Sequence, residues 1–229
     1  MPVFQLTDQF VFPHPSLSRE DGLLAIDGDL SVERLLLAYH NGIFPWYNFD
    51  EPILWWSPDP RLILKVNDFK ASKSLKKKAI SGQFEVRFDT VFEQVIKNCA
   101  QVKRHGVDST WIVPEMIKAY ILLHRYGFAH SVETFYENQL VGGLYGVVVG
   151  GVFSGESMFH KMADTSKIAF YHLVNKMQDL NMDFIDAQTE SNHLKSLGAS
   201  CISREVFLKM LQDSIENHPQ KIKWPRGVL

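Results

Sequence analysis

The sequence predicts an α+β protein in which antiparallel strands come first and helices cross back over them. Three observations carry this expectation. Residues 131–136, 140–149 and 152–159 are apolar runs of strand length, and Gly150-Gly151 between the last two offers the positive φ angles of a tight hairpin. The period then changes: from Asp164 to about Leu180, and again up to about Ser214, apolar residues recur at helical spacing behind residues of capping type. Finally, 229 residues with 45% hydrophobic and 22% charged side chains suffice for one large domain or two small ones and exclude a disordered chain. Strands followed by helix crossovers are the pattern of an α+β domain.

From the amino terminus, the first helix signal starts at Ser31, a capping residue. It continues through Leu35, Leu36 and Tyr39 on one apolar face to Gly42, which can end it. Ile43-Phe44-Pro45-Trp46 and Leu54-Trp55-Trp56-Ser57-Pro58-Asp59-Pro60 then concentrate prolines and tryptophans with little periodicity, which reads as rigid and irregular. A boundary near residue 62 separates a small amino-terminal domain, 1–62, from a larger one, 63–229. Over Asn67 to Ile80 the spacing predicts a helix with Phe69, Leu75 and Ala79 inward. Its outer stripe is Lys70, Lys73 and Lys77, flanked by Lys76 and Lys78. Pro114 and Gly127 bracket a second helix over 114–126. Past the hairpin, Ala169, Leu173 and Met177 form the buried face of the 164–180 helix, and 182–188 reads as a strand. A short helix stops at Gly198, and a strand near 200–203 precedes the last helix.

Composition narrows the function classes. Met1 to Pro15 lacks a basic start ahead of an apolar run, so no secretory signal is expected. The longest uncharged apolar stretch, Leu140 to Phe153, is glycine-rich and short of the roughly 20 residues of a membrane helix. A soluble, cytoplasmic protein is the expectation. Cys99 and Cys201 have no CxxC spacing and the nine histidines no HExxH pair, so no disulfide, metal or cofactor is expected. Net charge is -2 but uneven: residues 1–60 hold two basic and nine acidic side chains (-7), and residues 61–104 hold eleven basic and four acidic ones (+7). A polyanion can dock on the second segment, whose lysine stripe can equally be a solvated face.

Asp186 and Gln188 stand two apart on an otherwise apolar strand, so alternation projects both from one face, away from Ile185 and Ala187. Buried without partners they would be costly, so they bond to each other, to backbone or to a ligand. From these residues alone a structural polar pair and a functional site both stay open.

Longer strings bear on that choice. Gly22-Leu23-Leu24-Ala25-Ile26-Asp27-Gly28-Asp29-Leu30, Gly42 to Trp46 and Leu54 to Arg61 are followed by Thr110-Trp111-Ile112, His130 to Glu133 and Leu140 to Gly146. Then come Gly155-Glu156-Ser157-Met158-Phe159, Ser166-Lys167, Ile185 to Gln188 and Ser196 to Ala199. In order and spacing the chain resembles the leucyl/phenylalanyl-tRNA-protein transferase family along almost its whole length. It departs in Ala187, where relatives often have Cys, and in Ser109, where they often have Gly.

The resemblance implies a larger domain of the GCN5-related acyltransferase (GNAT) fold. It also implies transfer of Leu, Phe or less often Met from aminoacyl-tRNA to proteins beginning with Lys or Arg, marking them for degradation in the N-end rule pathway; a monomer is the expectation. The aminoacyl ester is already activated and an α-amine of pKa about 8 is partly neutral at pH 7, so positioning should dominate acid-base power. Gln188 then reads as the acceptor that orients the attacking amine, held and polarised by Asp186. Met158, with Phe153 and Ile185, suits an apolar pocket for the donor side chain, and Ser157 adjoins it. Trp46 and Trp111 suit stacking on the terminal adenine or closing the pocket, and Glu156 suits a basic acceptor residue. Lys70, Lys73, Lys76, Lys77 and Lys78 would grip tRNA phosphates without reading sequence.

Three rivals fit less well. An acetyl-CoA-dependent acyltransferase usually cradles pyrophosphate on a glycine-containing turn, which His160 to Thr165 lacks. A serine hydrolase would need a second glycine where Phe159 stands after Ser157. A noncatalytic RNA-binding module would explain the lysines but not Glu156, Asp186 and Gln188.

Overall fold

The computed structural model describes residues 3–102 and 112–229. The amino-terminal portion contains β1 (Phe4–Leu6), a 3-10 turn (Pro15–Leu17), β2 (Leu23–Asp27), α1 (Val32–His40), β3 (Phe44–Pro45) and β4 (Leu54–Trp56). Its strands form a sheet in the order β1-β2-β4-β3. The Trp/Pro-rich stretch is therefore not irregular throughout, since Phe44 pairs with Trp56 and Pro45 with Trp55. Proline is tolerated there because β3 is an edge strand, where a missing N–H breaks no ladder. Ser31 caps α1 as the sequence predicts, accepting from the Arg34 amide at 3.3 Å.

The rest of the chain runs β5 (Arg61–Lys65), a 3-10 turn (Val66–Asp68), α2 (Lys73–Ala79), β6 (Glu85–Phe88), α3 (Phe92–Ala100) and α4 (Pro114–Arg125). It continues as β7 (Ala129–Tyr136), β8 (Gln139–Val149), β9 (Val152–His160), α5 (Thr165–Asp179), β10 (Phe184–Gln188), α6 (Asn192–Ser196), β11 (Ser200–Ile202), α7 (Arg204–Asn217) and β12 (Gly227–Val228). An eight-stranded sheet results, in the order β11-β5-β10-β9-β8-β7-β6-β12. The hairpin forms where expected, with Gly150 at φ 57° and Val149 opposite Val152. β10 joins β9 in parallel through the α5 crossover, the only parallel pair in this sheet among the described residues. The fold is α+β, with a small amino-terminal sheet beside a larger, mostly antiparallel one.

The helix predicted over 67–80 is half that length. Residues 66–68 form a 3-10 turn, Phe69 is extended, and α2 begins only after Ser72, whose hydroxyl accepts from the Leu75 amide at 3.1 Å. Phe69 meets Phe170 edge-on at 5.8 Å, so tertiary packing holds the segment that helical spacing claimed. Leu75 and Ala79 are buried as expected.

Alternation along β8 splits the core. Leu144 and Val148 pack with α2 and α5 on one face of the large sheet. Tyr145, Val147 and Val149 pack with α1, α3 and α4 on the other. Leu35, Tyr39 and Trp55 of the amino-terminal portion share that second cluster with Met116 and Tyr120, so the small sheet is docked through a common apolar core. Among the described residues no helix is long and apolar enough to cross a membrane.

Candidate functional site

β9 and β10 are paired from Phe184/Val152 to Asp186/Ser154, yet β9 continues to His160 and β10 to Gln188. Where the parallel strands part, a cavity of about 380 Å³ opens, within the usual range for a small-ligand site. Phe153, Gly155, Glu156, Ser157 and Met158 line it from β9, and Ile185, Ala187 and Gln188 from β10. Phe170 and Leu173 of α5, Leu194 of α6, and Phe44 to Trp46 complete the wall. Six side chains singled out from the sequence for the donor side chain, the terminal adenine or the acceptor, Trp46, Phe153, Glu156, Ser157, Met158 and Ile185, thus meet in one place. Trp46 is 44% exposed and leans on Trp56 at 5.7 Å, whose indole donates to the Trp46 carbonyl at 2.6 Å. Trp111 lies outside the described residues.

Strict alternation fails at the carboxyl end of β10. The register against β5 shifts between Asp186 and Gln188, and Gln188 adopts φ 63°. This bulge turns Gln188 into the cavity beside Ala187, while Asp186 is not among the lining residues. The expectation that both project from one strand face is corrected accordingly. Asp186 is 2% exposed and grips Arg61 with both oxygens: Nε donates to Oδ1 at 2.8 Å and Nη2 to Oδ2 at 2.7 Å. Arg61 lies against the rings of Phe44 (4.9 Å) and Phe207 (4.4 Å), and its Nη1 is buried without a hydrogen-bond partner among the described residues. Asp186 Oδ1 also accepts from the Gln188 main-chain N–H at 2.9 Å, so the carboxylate holds the backbone of Gln188 rather than its side chain.

Glu156 holds the Gln188 side chain instead. The Gln188 amide Nε2 donates to Glu156 Oε1 at 2.9 Å. Two hydroxyls converge on the same carboxyl, Tyr39 on Oε1 at 2.8 Å and Tyr120 on Oε2 at 3.2 Å, and the two hydroxyls also contact each other. Burial pushes Glu156 up to about 7, with the nearby charge of Asp186 adding to the shift and the three donors opposing it. Both tyrosines are raised well above their ordinary value, chiefly by burial and then by Glu156, so they stay protonated and donate. With its N–H₂ committed to Glu156, Gln188 keeps its carbonyl oxygen as an acceptor in the cavity.

Arg61, Tyr39 and Tyr120 were not recognised as site residues in the sequence. A tyrosine on the buried face of α1 needs a hydroxyl partner, but no local signal says which one. Of the five lysines, Lys70, Lys73, Lys76 and Lys77 are exposed. Lys78 is half-buried, donating to Asp164 at 3.0 Å and to the Ala163 carbonyl at 2.9 Å. Away from the cavity, Asp89, His124 and His130 bring three potential metal ligands within 4.8 Å of one another. They are tied internally: His130 Nδ1 meets Asp89 at 2.7 Å and His124 Nδ1 meets the Ala129 carbonyl at 2.8 Å.

Comparison with known proteins bears on the same residues. The family model described as leucyl/phenylalanyl-tRNA protein transferase matches residues 63–212, and that of its N-terminal domain matches residues 28–59. The leucyl/phenylalanyl-tRNA--protein transferase of Syntrophobacter fumaroxidans is 54% identical over 94% of this chain and 92% of its own. That of Syntrophotalea carbinolica is 51% identical over 99% and 98%. Among solved structures, that of L-PGS from Bacillus licheniformis is similar at a TM-score of 0.40 and 14% identity, over 74% of this chain and 54% of that one, too distant to bear on fold or function. On the matches in chain order and the identity over nearly its full length, the chain belongs to the leucyl/phenylalanyl-tRNA protein transferase family.

Proposed function

We propose that this protein transfers Leu, Phe or less often Met from aminoacyl-tRNA to the α-amino group of proteins beginning with Lys or Arg, as a cytoplasmic monomer in a protein-degradation pathway. In this reading residues 1–62 form a small amino-terminal domain and residues 63–229 a GNAT-like catalytic domain. One observation carries the chemistry: Gln188 sits in the cavity with its amide nitrogen committed to Glu156, which leaves its oxygen to accept a hydrogen bond from an attacking amine.

The amine nitrogen attacks the ester carbonyl, the new C–N bond forms, and the C–O bond to the terminal ribose breaks. The departing ribose oxygen takes the proton that the amine gives up, so no strong protein base is required. Gln188 orients the amine. Asp186 acts through the backbone of Gln188, held by Arg61. Met158, Phe153 and Ile185, with Ser157 beside them, form the donor side-chain pocket, whose apolar wall suits both branched and flat groups. Trp46, exposed at the mouth, stacks on the terminal adenine, and Trp111 is assigned the same task. Glu156 supplies the negative charge for a Lys or Arg acceptor, and the exposed lysines before and on α2 hold tRNA phosphates.

The test is transfer of labelled Leu and Phe from charged tRNA to peptides that differ only in beginning with Lys, Arg, Asp or Ala. Label on the Lys and Arg peptides alone is expected. Label on acidic peptides would overturn the acceptor assignment, and tRNA binding without label on any peptide would favour a binding module.

A further inference from the structure

The carboxy-terminal segment lies beyond the residues that the family models match, 28–59 and 63–212, yet it reaches the wall of the cavity. After α7 the chain returns along the edge of the large sheet. Gly227 pairs with Phe88, Val228 with Arg87, and the Leu229 amide donates to the Val86 carbonyl at 3.0 Å. This pairing anchors Trp224, whose indole lies nearly parallel to the ring of Phe153 (5.7 Å, 21°) and to that of His130 (4.7 Å, 22°), and edge-on to Phe88. His130 is itself fixed by Asp89. Phe153 is 1% exposed and forms part of the cavity wall. A Cβ on Gly146 would stand 2.5 Å from the Phe153 ring, so the bare glycine lets that ring lie across β8 toward Trp224.

Among the described residues the indole Nε1 is buried and has no hydrogen-bond partner. A buried unsatisfied donor is unfavourable, and phenylalanine would avoid it, so the size and shape of the indole are what the position uses.

We infer that Trp224 is a specificity-determining positioning residue: by backing Phe153 it sets the depth of the apolar end of the cavity, and so which donor side chains fit. The inference rests on the proposed aminoacyl transfer. Without the indole, Phe153 can retreat and the pocket deepens, which favours long or flat donor side chains over short branched ones.

The experiment measures kcat and KM for leucyl- and phenylalanyl-tRNA, and binding of leucyl- and phenylalanyl-adenosine amide analogues, in wild type, Trp224→Phe and Trp224→Leu. Trp224→Leu is expected to shift the Phe:Leu ratio of kcat/KM toward Phe by on the order of tenfold, mainly through KM, with analogue binding shifting alike. Trp224→Phe, which keeps a ring but loses part of the indole, should shift the ratio in the same direction by about two- to threefold. Should Trp224→Leu fold too poorly to assay, Trp224→Phe alone decides: a ratio change of about twofold or more toward Phe supports the role, and an unchanged ratio overturns it. Equal losses for both donors, or lowered stability with the ratio kept, would likewise make Trp224 merely structural. Absence of any transfer by wild type would overturn the function itself, and this inference with it.

Discussion

Replacing Asp186 by Ala tests whether its role is to anchor the turn at Gln188. Arg61 and Asp186 are 1% and 2% exposed and share two charge-assisted hydrogen bonds of 2.8 and 2.7 Å. Removing the carboxylate leaves a guanidinium between two aromatic rings, with its Nε and Nη2 newly unpaired beside an Nη1 that has no partner among the described residues. Breaking one side of a buried pair costs about 3–5 kcal/mol. At a urea slope of about 3 kcal/mol/M the unfolding midpoint should fall by about 1–2 M. Arg61→Met with Asp186→Leu removes both charges and should recover most of that stability, because apolar replacement of a buried pair is often neutral. Transfer should recover in neither variant, since the Gln188 amide loses its 2.9 Å acceptor in both. Measured under conditions where each variant is folded, turnover should fall more than aminoacyl-tRNA binding. A midpoint shift under about 0.3 M for Asp186→Ala, or full turnover in the double variant, would refute the anchoring role.

Other consequences concern charge. A cationic acceptor binds the carboxylate form of Glu156, whose carboxyl lies at about 7, so KM for Lys and Arg peptides should rise as pH falls below 7, up to about tenfold per unit. Glu156→Gln should abolish that slope, and a slope that persists would free Glu156 from acceptor binding. Exchange of Lys70, Lys73, Lys76 and Lys77 for Ala should reduce the salt dependence of tRNA binding by about one slope unit for each phosphate no longer neutralised. Equal salt slopes in wild type and variants would remove the stripe from the tRNA surface. Burial also pushes Glu133 up to about 7 despite donors from Ser131, Thr90 and Val91. Because its folded-state value is raised, its contribution is complete below about 4.5 and is lost as pH rises through 7, on the order of 3 kcal/mol. Glu133→Gln should therefore flatten the stability profile between those values, as chemical denaturation at several pH values would read; an unchanged profile would contradict the shift.

Much of this molecule was legible locally. The β8-β9 hairpin follows from apolar runs and Gly150, α4 from Pro114 and Gly127, and α1 from Ser31, because turn chemistry, caps and periodicity act within a few residues. Much of the cavity wall, Phe153, Gly155 to Met158, Ile185, Ala187 and Gln188, stood in or beside the strings that carried the family resemblance. Local pattern failed where distant partners overrode it. Phe69 left the predicted helix to pack on Phe170, and the bulge at Gln188 broke alternation because Asp186 was engaged by Arg61, 125 positions away. The convergence of Tyr39, Tyr120 and Gln188 on Glu156 had no local signature either, its members being separated by 32 to 117 positions. The sequence by itself determined the β8-β9 hairpin, the helices with clear caps, the family, and several of the side chains that line the cavity. Only the tertiary structure decided that Asp186 faces Arg61 and Glu156 holds Gln188, since the partner of a buried polar group is chosen by which strands and helices are brought together, and that choice belongs to the whole chain.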